Sequence, residues 1–294
     1  MNDLDKETMN YIDYPQLYRV ADSLSVKYQK KHFGLLAAYL LLLIVSAIIP
    51  MCGNCVLANS ISLGLFLLSA ALYAISQISN PLNLWYNGRA VAESVKSMTW
   101  KWMMMADPYS CKTQGTASLD LQKDLQNFLK QNNVLFKNYQ EDDGNSYSIS
   151  NKMKEIRNAA AIVKMKFYNK NRVQEQLNWY RDKSKILHRR NIVMSRIIGG
   201  CYVIMTILMI VSIVKPNKFL PIEIIAVVIT AFISWSEAKK YKELSCAYSL
   251  AVNEMSIINK DQLESQVSEA EVAEFVLKCE NAFSHEHTLW NIHK

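Results

Sequence analysis

Two stretches of this chain carry no charged side chain. No Lys, Arg, Asp or Glu occurs in residues 33–88 or in residues 197–214, although these four residue types make up 20% of the whole. About 20 mostly apolar residues cross the hydrocarbon core of a bilayer, so the first stretch is long enough to cross twice. The pattern excludes an ordinary soluble domain and predicts a membrane protein with several spans.

Polar breaks divide the apolar regions into four predicted spans that form two hairpins. The first hairpin has spans at about 33–50 and 56–78, joined by Cys52-Gly53-Asn54. The second has spans at about 194–214 and 219–236, joined by Lys215-Pro216-Asn217-Lys218. A charged segment of 32 residues precedes the first span, so we expect no cleaved signal peptide.

The remaining sequence has helical periodicity and no strand-like alternation of useful length. Leu121, Leu125, Phe128 and Leu129 recur at helical spacing. From Ser150, a predicted helix cap, we expect one long helix to run without a break into the third span. The predicted fold class is therefore all-α, a polytopic membrane protein with four transmembrane helices in two hairpins and long cytoplasmic amphipathic helices.

Basic residues flank the spans on one side. Lys and Arg residues precede the first and third spans and follow the second and fourth, whereas the two tips hold only Lys215 and Lys218. Positive flanks stay cytoplasmic, so both termini and the long middle segment are expected inside and both tips outside. The middle segment, residues 89–196, is basic and the tail from residue 237 is acidic. We expect contact with lipid headgroups or between these two segments, and no nucleic acid.

A short motif occurs twice, each time before a hairpin. Residues 19–24 and 172–177 both read R-V-x-acid-x-L, and a charged amphipathic helix follows each hairpin. The chain is thus predicted to contain two copies of one module. The first would occupy residues 1–139 and the second residues 150–294, with residues 140–149 as the linker.

Polar side chains follow one face of the second helix of each predicted hairpin. Because lipid offers such groups no partner, each stripe is expected to face protein or water, either as helix packing or as a pore lining. The candidate pore-lining or helix-packing residues are Asn59, Ser62, Phe66, Ser69, Tyr73 and Ser76 in the first hairpin, and Glu223, Thr230 and Ser234 in the second.

The sequence predicts neither catalysis nor a cofactor. Cys52 and Cys55 at the first tip are either two free thiols or a disulfide, and no second pair completes a zinc site. His285 and His287 point to different sides of a helix, so a shared metal ion is not expected. No phosphate loop, dinucleotide fingerprint, zinc-protease pair or nucleophile elbow occurs, which argues against an enzyme.

The second copy resembles the SLATT family of two-transmembrane effector domains from bacterial conflict systems. The matching stretches are residues 171–180, 241–248 and 280–290, and the first copy resembles a more divergent unit of the same family. The resemblance implies a membrane-perturbing or pore-forming effector of the bacterial inner (plasma) membrane, used in antiviral defence or programmed cell death. The candidate cytoplasmic interface residues in these stretches are Arg172, Glu175, Trp179, Tyr180, Glu286, His287 and Trp290.

Two functions of different classes are consistent with these features. The first is an oligomeric, non-enzymatic effector that opens a pore or disrupts the bilayer after a signal from a cytoplasmic sensor or a second-messenger-linked partner. The second is a membrane-anchored scaffold or sensor, without conduction, whose cytoplasmic helices recruit partners. A secondary transporter is less favoured because both copies begin on the same side of the membrane. Expected partners of the leading hypothesis are the lipid bilayer and further copies of the chain.

Overall fold

A computed structural model describes most of the chain, and every regular element in the described residues is helical. This confirms the predicted all-α class. For residues 52, 259–260 and 285–292 only the backbone is described. The described residues are 7–53, 55–110, 112–133, 135–136, 147–215, 220–260 and 267–292.

The described part contains ten α-helices, a 3₁₀ turn at Tyr11–Asp13 and one π-helical turn. In chain order the α-helices are α1 (Gln16–Cys52), α2 (Val56–Ser79), α3 (Pro81–Met103), α4 (Gln114–Gln131), α5 (Asn151–Arg157), α6 (Ala161–Tyr168), α7 (Glu175–Val214), α8 (Ile222–Lys239), α9 (Tyr241–Lys260) and α10 (Glu269–Ile292). The π-helical turn, Asn169–Gln174, joins α6 to α7.

Three helical stretches are long and apolar enough to cross a membrane. They are Gln16–Met51, Val56–Met103 and Ala161–Val214, and at most 17% of the most apolar window of each is buried inside the protein. Each of these stretches contains 18 consecutive, mostly apolar residues with at most two charged side chains. Helix α8 has only 18 residues, and three of them, Glu223, Glu237 and Lys239, are charged.

Each of α2 and α8 ends in a single left-handed residue, after which the next helix begins. Asn80 has φ of 38° and is followed by Pro81, the first residue of α3. Lys240 has φ of 46° and is followed by Tyr241, the first residue of α9. Left-handed caps are a common helix stop, and proline suits a first helical position. The two modules therefore leave their second apolar helix by the same one-residue break.

The region after Ser150 differs in part from the sequence prediction. Ser150 caps α5 as expected, because its Oγ accepts a hydrogen bond of 3.2 Å from the Met153 N–H. The expectation of one unbroken helix is wrong, because α5 ends at Arg157 and α6 starts only at Ala161. The Arg157 guanidinium donates to the backbone carbonyls of Trp102 and Tyr109. These tertiary bonds anchor the last residue of α5, and no local pattern predicts them.

The chain divides into two compact units, each with residues from both predicted modules. The first unit comprises Met1–Tyr28, Asn83–Lys183 and Ala247–Lys294. Its core is aromatic and sulfur-rich, with fully buried Trp100, Trp102 and Tyr109. Residues 140–146 of the predicted linker lie outside the described residues.

The second unit comprises Gln29–Leu82 and Ser184–Cys246, which include the apolar helices. Its buried cluster joins Leu36 and Leu40 of α1 to Ala231 of α8. Most other large apolar side chains on α2 and α7 are exposed, Leu67 and Ile210 among them, at 57% and 56%. The outer surface of this unit is therefore apolar.

A close approach of α3 to α1 in the first unit depends on a glycine. A Cβ at Gly88 would lie 3.1 Å from both the Cα and the backbone N of Ser25, closer than ordinary van der Waals contact. We predict that Gly88→Ala lowers the thermal unfolding temperature in detergent, with an overpacking cost of about 1–3 kcal/mol.

The matched control is Gly115→Ala in α4, because a Cβ there meets nothing within 4 Å. It should change stability by less than about 0.5 kcal/mol. Equal unfolding temperatures for the two variants would show that the two backbones are not held together as described.

Candidate functional site

The π-helical turn brings two polar side chains and one apolar side chain into the core of the first unit. Asn171, Arg172 and Val173 are all buried there. A π turn adds one residue to a helical turn and occurs frequently at functional sites. Here it lies directly before α7, the helix that contains the predicted third span. Arg172 is therefore held at the start of that helix, withdrawn from water.

Arg172 makes a two-pronged ion pair with Glu280 of α10. The Nε and Nη2 atoms donate to Oε1 and Oε2 of Glu280, each at 2.9 Å. The Tyr168 hydroxyl also donates to Oε1 at 2.9 Å, so the carboxylate accepts three hydrogen bonds. Both side chains are almost fully buried, at 2% and 0% exposure. Parallel N–H···O bonds of this kind combine strength with a fixed geometry.

Two further contacts surround the guanidinium. Its Cζ lies 4.6 Å from the centroid of the Phe283 ring, a cation–π distance. Its Nη1 lies 3.9 Å from Oε2 of Glu93 on α3, which is an ion pair but too long for a hydrogen bond. Nη1 is buried and has no hydrogen-bond partner. The Nε and Nη2 atoms of Arg172 therefore have hydrogen-bond acceptors, whereas Nη1 has none.

Burial and the ion pair act in opposite directions on the pKa of Arg172. Burial alone lowers the pKa of Arg172, but the adjacent Glu280 carboxylate outweighs it, and the pKa is raised well above its usual value. Burial, followed by the charge of Glu280, raises the pKa of Tyr168. Arg172 therefore stays protonated and Tyr168 stays a hydroxyl donor throughout the physiological pH range.

A cavity of about 360 Å³ lies beside this ion pair. One face of α3 lines it with Glu93, Ser94, Ser97 and Lys101. Arg172 and Glu280 line it from the π turn and α10, together with the rings of Phe128 and Phe283. The cavity therefore offers hydrogen-bonding groups of both kinds and two aromatic rings.

Other predicted interface residues form an aromatic cluster in the first unit. The Trp179 and Tyr248 rings are 5.2 Å apart, and Tyr180 stacks on Tyr248 at 5.6 Å. Arg89 and Lys183 lie 5.5 Å and 5.7 Å from the Trp179 ring.

The remaining predicted interface residues lie apart from this cluster or are not fully described. Glu175 is exposed at the start of α7. The backbone of Glu286, His287 and Trp290 belongs to α10, but their side chains lie outside the described residues.

Some of the predicted stripe residues on α2 contact α1, and others are exposed. Ser69 Oγ donates to the Tyr39 carbonyl at 3.0 Å, and Ser62 Oγ donates to the Ser46 carbonyl at 2.7 Å, so both bond to α1. Tyr73 makes an edge-to-face contact with Tyr39 at 5.7 Å. Asn59 and Phe66 are exposed, and Ser76 is half-buried.

The stripe on α8 makes fewer contacts. Glu223 and Thr230 are exposed, and Ser234 is half-buried. Thr230 Oγ1 donates to the Ala226 carbonyl of its own helix at 2.9 Å. These polar groups therefore lie on the outer surface of the second unit rather than against α1.

Sequence reasoning selected Arg172 but not its partners Glu280, Glu93 and Tyr168. A signal for Glu280 exists, because it occupies the same helical face as Val276 and Phe283, where a lone carboxylate requires a buried cation. Among the described residues no group of three or more His, Cys, Asp or Glu side chains is placed to hold a metal ion. Cys55 is a free, exposed thiol, whereas the Cys52 side chain lies outside the described residues.

Two family models match the chain in tandem. Residues 15–164 match SMODS and SLOG-associating 2TM effector domain 3, and residues 168–290 match SMODS and SLOG-associating 2TM effector domain 1. The first match alone covers just over half of the chain. No curated protein and no solved structure gives a significant match to the chain.

The ion pair predicts a large and asymmetric effect of substitution. We expect Glu280→Ala to destabilise the protein by about 3–5 kcal/mol, because it leaves the buried Arg172 cation without a counter-charge. The double variant Arg172→Met with Glu280→Met should be more stable than Glu280→Ala, since it removes both charges. Thermal unfolding of the full chain in detergent measures both effects.

The control is Glu274→Ala, which removes an exposed carboxylate from the same helix. Glu274 forms an exposed surface ion pair with Lys278 at 2.7 Å, so the change should be within about 0.5 kcal/mol. If Glu274→Ala and Glu280→Ala were equally mild, Glu280 would not be the counter-charge of Arg172.

Proposed function

The chain belongs to the SMODS and SLOG-associating two-transmembrane (SLATT) effector family, with two such domains in tandem, and we propose that it is an oligomeric membrane effector. On this proposal it forms a pore or otherwise perturbs the bacterial inner membrane in antiviral defence or programmed cell death. It acts by changing its assembly in the bilayer rather than by catalysis, in response to a cytoplasmic signal.

The observation that carries the proposal is the unburied apolar surface of the second unit. Many large apolar side chains along α2 and the second-unit part of α7 are about half exposed or more, including Leu63 at 59% and Ile204 at 54%. Contiguous apolar surface of this kind is stable only against lipid or against other protein. The first unit instead has a well-filled core of buried aromatic side chains, as expected of a domain in water.

The proposal includes α8 as a fourth span, which makes two complete hairpins. Its ionisable residues lie near its ends, where a charged side chain costs little in a bilayer. Ala231 packs against Leu36 and Leu40, which belong to the apolar part of α1. Lys239 Nζ lies 3.2 Å from the centroid of Phe33 and 4.8 Å from that of Trp235, an arrangement suited to the headgroup region.

Polar groups on the outer face of the spans favour assembly of several copies. Asn59 and Thr230 are exposed in the described protomer, although both lie on helices proposed to cross the bilayer. Polar side chains within a membrane face protein or water rather than lipid. A single protomer offers too few helices to enclose water, so neighbouring copies would cover these groups or form a lumen with them.

We further propose that the first unit is cytoplasmic and receives the signal from a sensor or a second-messenger-linked partner. The positive flanks of the spans support this orientation. The Arg172–Glu280 pair joins the segment that leads into α7 to α10. A partner that alters α10 would therefore act on a helix that continues into the bilayer.

The orientation can be tested with two native thiols. The tip positions Asn54 and Asn217 lie outside the described residues, but Cys55, next to the first tip, is exposed, and so is Cys246 on α9. Two variants are made in which either Cys55 or Cys246 is the only cysteine left of the six in the chain. In intact spheroplasts an impermeant maleimide should label Cys55. Cys246 should react only after permeabilisation. The reverse labelling pattern would place the first unit outside.

The effector proposal is tested by ion flux through vesicles that contain the full chain. We expect Thr230→Leu to reduce flux several-fold at unchanged oligomer mass, because an apolar side chain in a narrow lumen promotes dewetting. Ser69→Leu should instead lower the thermal unfolding temperature, since it removes the bond to the Tyr39 carbonyl of α1 in the same chain and adds volume at a buried contact. Flux and oligomer mass are measured on the same preparations.

The control for the flux experiment is Ile233→Leu, which alters an exposed apolar residue on α8 without changing polarity. It should leave both flux and mass unchanged. A chain that stays monomeric and non-conducting under all conditions would support the alternative function of a membrane-anchored scaffold.

A further inference from the structure

The cavity beside Arg172 has features that the membrane function does not use. Its volume of about 360 Å³ falls in the range of small-molecule sites, near the lower end. It is formed within the first unit by α3, α4, α10 and the π turn. Its polar groups belong to the helices and to the π turn, with a packed core behind them, so their positions are fixed before any ligand binds.

Two of the residues that line the cavity, Arg172 and Glu93, place a donor next to an acceptor. The donor is Nη1 of Arg172, which is buried and lacks a hydrogen-bond partner. The acceptor is the Glu93 carboxylate, 3.9 Å from Nη1 and also paired with Arg89 at 3.5 Å. A buried charged donor without an acceptor is unfavourable, so a ligand atom that accepts from Nη1 would be strongly favoured.

The lining of the cavity also includes a cation. Lys101 lines the cavity, is only half-buried, and has no ion-pair partner within the described part of the chain. It lies eight residues after Glu93 on the same helix, which corresponds to about 12 Å along the axis. Ser94 and Ser97 lie between them on the same lining face and provide hydroxyl groups.

Aromatic surface completes the cavity. Phe128 of α4 and Phe283 of α10 both line it, and Phe283 also contacts the Arg172 guanidinium. Planar unsaturated rings stack on such side chains without a requirement for one particular ring. The occupant that fits therefore has a flat ring, an edge with adjacent acceptor and donor atoms, and an anionic group about one nanometre away.

From this arrangement we infer that the cavity is a binding site for a nucleoside monophosphate or a molecule of the same size and chemistry. The edge of the base accepts from Arg172 Nη1 and donates to Glu93, as arginine and carboxylate side chains do with base edges elsewhere. The phosphate pairs with Lys101, and the base contacts the ring of Phe128, which is only half-buried. The small volume suits one nucleotide and not a longer strand.

Binding is tested by isothermal titration calorimetry on the full chain in detergent, with AMP, GMP, CMP and UMP as separate probes. We expect at least one of the four to bind, and to bind at least about tenfold more tightly than its nucleoside or ribose 5-phosphate. The nucleoside lacks the anion and ribose 5-phosphate lacks the ring, so the comparison isolates each half of the site.

Two cavity variants connect the binding to this location. Lys101→Ala should weaken binding about tenfold or more, because it removes a charged partner of the phosphate. Ser97→Trp should abolish binding by filling the cavity. The matched controls are Lys130→Ala and Ser23→Trp, which alter exposed positions outside the cavity lining and should leave binding unchanged. Arg172 is not a useful test position, because its replacement also removes the ion pair with Glu280.

The inference is overturned if none of the four probes binds at about 1 mM, or if Lys101→Ala and Ser97→Trp bind as tightly as the unaltered chain. Unfolding temperatures of the variants are measured in parallel, so that a loss of binding counts only in a folded protein. Since no step of the assay involves ion flux, its outcome is independent of the membrane function proposed above.

Discussion

A guanidinium withdrawn almost entirely from water determines the arrangement of the first unit. Arg172 can be buried only because Glu280 supplies the opposite charge and two of its hydrogen bonds at 2.9 Å. Tyr168 and Phe283 complete its surroundings through a hydrogen bond and a ring face. The requirement to satisfy one buried charge thus holds α10 against the segment before α7, which apolar packing alone would not do with the same specificity.

Much of the fold could be predicted from the sequence, because its strongest signals are local. Apolar length predicted the membrane-spanning helices, three of which meet the criteria for a span in the structure. The periodicity of Leu121 and Leu125 predicted a helix, and both residues are fully buried in α4. The break after Arg157 was not predicted; the Arg157 side chain there bonds to carbonyls 48 and 55 residues away in the chain, contacts that no local pattern reveals.

The candidate site was predictable only in part for the same reason. The repeated motif selected Arg172, but the π turn that buries it leaves no trace in residue spacing. Its partner Glu280 is 108 residues away, and only its place on an otherwise apolar helix face indicates a buried carboxylate. The serines on α2 were identified as packing or lumen residues, and sequence cannot separate these roles because both require one polar face. The bonds of Ser62 and Ser69 to α1 carbonyls are known only from the structure.

The two copies of the motif have diverged in what they do with the arginine. Arg19, which occupies the position in the first copy that Arg172 has in the second, has a buried Nε without a hydrogen-bond partner and no salt bridge within the described residues. Arg172 lies instead in the π turn directly before α7, whose 40 residues extend about 60 Å, twice the thickness of a hydrocarbon core. Half of that helix must therefore lie outside the bilayer if the rest crosses it.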